Sequence, residues 1–146
     1  MPLWQRHYTT IWLLMLEFLL SAHLFDTIVV TALHVALAVV VILVTRGNAR
    51  LLAAEPVPAR LKRISASTAQ LAIAQLVIGL IVGVLRHAPV PKVLATIVTP
   101  FHLVVALAMI TQAASVATAY DMRDEQELID GPNKDAGPSS AKATKG

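Results

Sequence analysis

Long uncharged stretches separated by short polar links set the pattern of this chain. Between Thr9 and Thr45 the only formal charges are Glu17 and Asp26, and none occurs from Ile64 to Leu85 or from Val93 to Tyr120. A membrane-spanning helix needs roughly 20 apolar residues, so these three stretches hold about four spans. The first is too long for one: at 1.5 Å per residue it would reach about 55 Å, against a hydrocarbon core of roughly 30 Å. It breaks naturally at "SAHLFDT", where Ser21, His23, Asp26 and Thr27 cluster, with Asp26 a candidate N-cap for the next helix. The pattern therefore predicts an all-α integral membrane protein, a four-transmembrane-helix bundle with spans at about 8–24, 27–46, 64–85 and 93–120. Arg6, the apolar run and "LSA" also fit a signal peptide cleaved near Ala22, but Glu17 inside the run counts against it.

The links orient the bundle. "RGNARLLAAEPVPARLK" and the adjoining Arg63 hold Arg46, Arg50, Arg60 and Lys62, whereas "RHAPVPK" offers Arg86 and Lys92. The positive-inside rule puts the longer link, and with it both termini, in the cytoplasm. "ARLLAAE" within it reads as a short surface helix. From Asp121 the composition turns polar, with Gly, Pro and Ser, so residues 1–120 form the membrane domain and 121–146 a disordered cytoplasmic tail.

Composition agrees. Of the 146 residues 56% are hydrophobic and 14% charged, well below the quarter or so that is charged in soluble domains. The formal charge of +3 belongs to topology and is not a nucleic-acid footprint. No cysteine is present, which excludes disulfides, thiolate haem ligation, iron–sulfur clusters and covalent c-type haem. The expected setting is a multi-pass protein of the plasma membrane, with lipid as a partner.

Two histidines carry the candidate chemistry. His34 lies in "ALHVALAVVVILVT" and His102 in "PFHLVVALAMI". Both spans start from the same side, and the rings fall roughly 10 Å and 13 Å below the surface at 1.5 Å per residue. Two imidazoles at matched depth on alternate helices can ligate one haem iron from opposite faces, which makes His34 and His102 the candidate metal ligands. Ala32, Ala36, Ala38, Ala106 and Ala108 leave room for the macrocycle, and Arg86, His87 and Lys92 could neutralise its propionates. The competing reading is that each ring donates to a neighbouring carbonyl. A bare zinc or copper ion fits less well, since it would want three or four ligands.

Glu17 is the other costly residue. A membrane carboxylate is a functional hypothesis by default, here as a proton donor or as the partner of a ligand's outer nitrogen. The alternative is a protonated structural glutamic acid bonded to backbone. His23 and Asp26 read as a local interfacial pair and His7 as interfacial. Gln70 and Gln75 need partners inside the bundle, and Gly79 and Gly83 would allow close helix approach. The two helix pairs also look alike, each even-numbered span carrying a histidine followed by Ala and Val.

Gln75, Gly79, the apolar run to Leu85, the proline-bearing turn and "HLVVALAMI" resemble half of a haem A synthase, and "LHVALAVVVILV" resembles that family's other ligand helix. The likeness covers roughly residues 27–115. It implies a four-helix haem unit with His34 and His102 as axial ligands, in the single-unit form resembling some archaeal members. Three features depart from the family. Val35 stands where an arginine usually follows the histidine, Thr31 stands where a catalytic glutamate is expected, and the long loop between spans one and two is absent.

The expected function is thus a membrane haem protein with b-type haem, or haem O or A. It would act in conversion of haem O to haem A, as an oxidoreductase with Glu17 in the catalytic place, or in respiratory electron transfer. A catalytic version would need a second copy, hence a homodimer, and an electron-transfer version would sit among respiratory complex subunits. A structural or accessory oxidase subunit without catalysis, and a proton-coupled small transporter using Glu17, remain as competing classes.

Overall fold

The computed structural model describes residues 3–21, 27–87, 89 and 92–129. Its four helices are α1 (Leu3–Ser21), α2 (Ile28–Ala54), α3 (Ala59–His87) and α4 (Lys92–Ile129). They form a ring in chain order. α1 packs on α2 and α4, and α3 packs on the same two, leaving α2 diagonal to α4. Among the described residues, three helical stretches are long and apolar enough to cross a membrane: Ile28–Ala54, Ala59–Arg86 and Thr96–Arg123.

The outside of the bundle is greasy, and alanines are buried where its helices meet. Trp12, Ile28, Leu43, Val84 and Phe101 are all exposed, while Ala69, Ala72, Ala113 and Ala117 are buried where helices meet. Small residues let backbones approach closely, and the large apolar side chains are left for lipid.

Helix ends differ from the expected spans, each for a local reason. The N-cap of α2 is Thr27, whose hydroxyl accepts from the Val30 amide at 3.3 Å; Asp26, the residue expected there, lies outside the described residues. α2 does not stop at Arg46. It passes through Gly47 and Asn48 to Ala54, so "ARLLAAE" is the end of a span helix and not a separate surface helix. Only Glu55 to Pro58 separates it from α3, where Pro56 and Pro58 block helix continuation. Lys62 Nζ closes the link by donating to the Ala53 carbonyl at 2.8 Å.

α4 likewise outruns its expected span. It continues to Ile129, nine residues into the stretch assigned to a disordered tail. "DMRDEQELI" contains strong helix formers and no Gly or Pro. Its start is pinned to the bundle: Arg123 donates to the Pro56 carbonyl at 3.1 Å, and the Tyr8 hydroxyl lies 3.5 Å from Asp121 Oδ2. Residues 130–146 of the expected tail lie outside the described residues. Pro100 sits inside α4, where it removes one helical hydrogen bond two residues before His102.

The interior is stacked in four layers. Nearest the basic end, Leu52, Val57, Val116 and Tyr120 form an apolar cluster flanked by Trp4, Leu61 and Ile64. Above it lies a polar layer of His7, Thr10, Thr45, Asn48, Ser65 and Thr68, all buried. Leu14, Val41, Ala72, Met109 and Ala113 make the next layer, wholly apolar. Beyond them, in the far half of the bundle, are the two histidines.

Candidate functional site

His34 and His102 meet across the diagonal of the bundle. Their ring centroids are 6.2 Å apart and their planes are inclined at 69°. Two imidazoles sharing one metal at about 2 Å from each nitrogen would place their ring centres roughly 6 Å apart. The depth match in the sequence thus becomes a spatial pairing, made by the two helices that face each other across the diagonal.

Each ring is positioned from outside the pair. Glu17 reaches across from α1, with Oε1 3.3 Å from His34 Nδ1, in ion-pair range but without the alignment of a hydrogen bond. The carboxylate is largely buried, at 13% side-chain exposure, so it faces the imidazole and not solvent. On the other side, Gln75 Nε2 of α3 donates to the His102 carbonyl at 2.8 Å. Gly79, one turn further along α3, provides the seat for the ring: a Cβ there would lie 3.0 Å from His102 Cε1. The sequence suggested close helix approach at Gly79 and Gly83. Gly79 instead admits an imidazole, and an added Cβ at Gly83 would meet nothing within 4 Å.

Three polar atoms here are buried without a hydrogen-bond partner: Glu17 Oε2, Gln75 Oε1 and His102 Nδ1. An unmet buried polar atom costs on the order of 1–3 kcal/mol. Several in one place describe a site whose hydrogen bonding is incomplete within the protein. They border a cavity of about 410 Å³ between α2 and α3, lined by Glu17, His34 and His102 with apolar walls from Val35, Leu76, Leu80 and Val84. That volume lies within the usual range of about 300–1,000 Å³ for small-molecule sites. A smaller adjoining space reaches down to Leu14, Val41, Ala72 and Met109.

Other residues singled out from the sequence fall in different places. Ala38 and Ala106 line the smaller space, while Ala32 and Ala36 are exposed on the outer face of α2. Thr31, at the position where the resembled family has a glutamate, lines the larger cavity, and its hydroxyl donates to the Thr27 carbonyl at 3.2 Å. Arg86 is exposed near the end of α3, outside the cavity walls, and has an interaction of its own. Lys92 begins α4, but its side chain lies outside the described residues, as do the side chain of His87 and the whole of His23 and Asp26. Gln70 is exposed, so only Gln75 of the two glutamines works inside the bundle. His7, read as interfacial, is 3% exposed and belongs to the polar layer near the basic end.

Among the described residues, no group of three or more His, Cys, Asp or Glu is arranged to hold a metal ion. A tetrahedral zinc or a copper site therefore lacks its ligand set here. A haem supplies four nitrogens of its own and asks the protein for two, which is the number of imidazoles that converge. Comparison with known proteins finds no matching family model, curated protein or solved structure.

Proposed function

We propose that this chain is a multi-pass membrane protein that holds one haem, b-type or haem O or A, between His34 and His102. The supporting observation is the pairing of the two rings at 6.2 Å beside an apolar-walled cavity bordered by unsatisfied polar atoms. In this reading α1 is the fourth span, both termini are cytoplasmic and the membrane is the plasma membrane. The basic residues of the α2–α3 end favour that orientation.

The protein's own residues would do four things. His34 and His102 would supply the axial nitrogens. Glu17 would hold the His34 ring by facing Nδ1, the arrangement that fixes tautomer and orientation in metal-bound histidines. Gln75 and Gly79 would set the height and rotation of His102 through its carbonyl and its ring edge. Val35, Leu76, Leu80 and Val84 would keep water from the macrocycle. Arg86 and Lys92 remain candidates for the propionates. Bound haem would supply one-electron transfer, and the ligand environment would tune its potential.

Electron transfer, as a membrane haem protein or a respiratory complex subunit, is the form that fits the departures from the resembled family, Val35 and Thr31 among them. Conversion of haem O to haem A is the form that the haem A synthase resemblance adds. There Glu17, on a different helix from the expected glutamate, is the carboxylate that faces the cavity. Proton-coupled transport through Glu17 is less well supported, because the apolar layer of Leu14, Val41, Ala72 and Met109 separates Glu17 from the basic end.

Visible spectra of the detergent-purified protein, oxidised and dithionite-reduced, test the proposal. A sharp reduced α-band that disappears in both His34→Ala and His102→Ala is the expected result, with pyridine haemochrome analysis separating haem B, O and A. A featureless spectrum that persists after haem reconstitution would sink the haem reading.

A further inference from the structure

The polar layer near the basic end contains a second small cavity, independent of the histidine pair. Its volume is about 10 Å³, and its polar lining is His7 and Thr10 of α1, Thr45 and Asn48 of α2, and Ser65 and Thr68 of α3. Every one of these residues is at least 95% buried. A cavity needs on the order of 10–15 Å³ of this kind, and two to four polar partners, to hold a single water molecule.

Most of the layer's hydrogen bonding is already committed. Asn48 Nδ2 donates to Thr10 Oγ1 at 2.9 Å and approaches the Arg6 carbonyl at 3.5 Å. Thr10 donates to the Arg6 carbonyl at 2.8 Å. The Thr45 hydroxyl is shared between the Val41 and Ile42 carbonyls at 2.8 and 3.1 Å. The Thr68 hydroxyl is shared between the Ile64 carbonyl and Gln112 Oε1, both at 2.9 Å. His7 Nε2, by contrast, is buried and without a hydrogen-bond partner.

We propose that this layer is a binding site for one internal water molecule, hydrogen-bonded to His7 Nε2. Water suits the position because it can donate to an unprotonated ring nitrogen or accept from a protonated one, whichever tautomer His7 adopts. Asn48 Oδ1 and the Thr45 hydroxyl oxygen are further acceptors in the lining, and Ser65 carries a hydroxyl donor. A metal cation fits poorly: the residues lining the layer include no carboxylate, and its buried unpartnered atom is an imidazole nitrogen. The water would connect α1, α2 and α3 at one level, while the Thr68–Gln112 bond brings in α4.

Water-edited solid-state NMR of the histidine-labelled protein in lipid bilayers tests this site. The native protein should show rapid magnetisation transfer from water to the His7 ring. Ser65→Val, which pushes a methyl into the cavity, should abolish that transfer, while Ser65→Ala, which leaves the space open, should keep it. Absence of transfer in the native protein overturns the proposal, as does transfer that survives in Ser65→Val. A His7 resonance that follows sodium concentration would show a cation in place of water and overturns it equally. The native spectrum and the alanine variant decide the matter even if the valine variant does not fold.

Discussion

The bundle buries two polar groups, and they are finished to different degrees. Near the basic end, side chains from all four helices bond to one another and to nearby carbonyls, leaving His7 Nε2 unmet beside a space of about 10 Å³. In the far half, Glu17, His34, Gln75 and His102 converge as well, but they leave three buried polar atoms unmet beside about 410 Å³. Polar groups in a membrane bundle hold helices together when they satisfy each other. When they do not, folding alone gives no reason to gather them, and a bound group does. The first layer suits the holding together of helices, and the second suits the ligand site proposed above.

The largest expected effect comes from breaching what lies between the two. Met109→Ala removes a side chain that is 1% exposed and should cost about 2 kcal/mol or more in resistance to unfolding in detergent. It should also loosen ligand retention, because Met109 floors the space beside the histidines. Next, Asn48→Leu strips the basic-end layer of its link from α2 to Thr10. The cost should be about 1–2 kcal/mol in the same assay, with the histidine pair left able to bind. If that variant lost its ligand while keeping its stability, the division of labour between the layers would be wrong.

Two smaller effects probe the far half. Gly79→Ala gains up to about 1 kcal/mol of helix propensity, which should offset the crowding of its Cβ against His102, so stability should stay near native. Ligand affinity should nevertheless fall about tenfold, measured by haem titration, because the His102 ring must move. Smallest is Glu17→Gln in the ligand-free protein, where stability should change by no more than about 0.5 kcal/mol, since an amide can still face His34 Nδ1 and Glu17 Oε2 has no partner to lose. A large destabilisation by Glu17→Gln would make the far-half group structural after all.

The helical architecture was legible because hydropathy in a membrane is a coarse and strong signal: long uncharged runs must form helices. The histidine pairing was legible too, since helix rise converts sequence position into depth. What counting along the chain could not supply was lateral information. Asn48 follows Gly47 and looks like the start of a loop, yet it is buried in α2 because Thr10, far away in sequence, accepts its amide. His7 beside Arg6 looks interfacial, yet the rotation of α1 turns it inward. Glu17 was read as lying near the histidine level, but its approach to His34 Nδ1 depends on how α1 is rotated. A polar residue every three or four positions near one end of several spans was the available sign of the basic-end layer: Thr45 and Asn48, Ser65 and Thr68, His7 and Thr10.

The apolar layer of Leu14, Val41, Ala72, Met109 and Ala113 has a consequence for the surrounding bilayer. Between the two polar groups it is a dielectric barrier, and a charge crossing it would give up hydration with nothing to replace it. A chain with titratable groups at two depths of the membrane is thereby kept from short-circuiting a proton gradient through its own centre. The histidine pair opens instead on the cavity between α2 and α3.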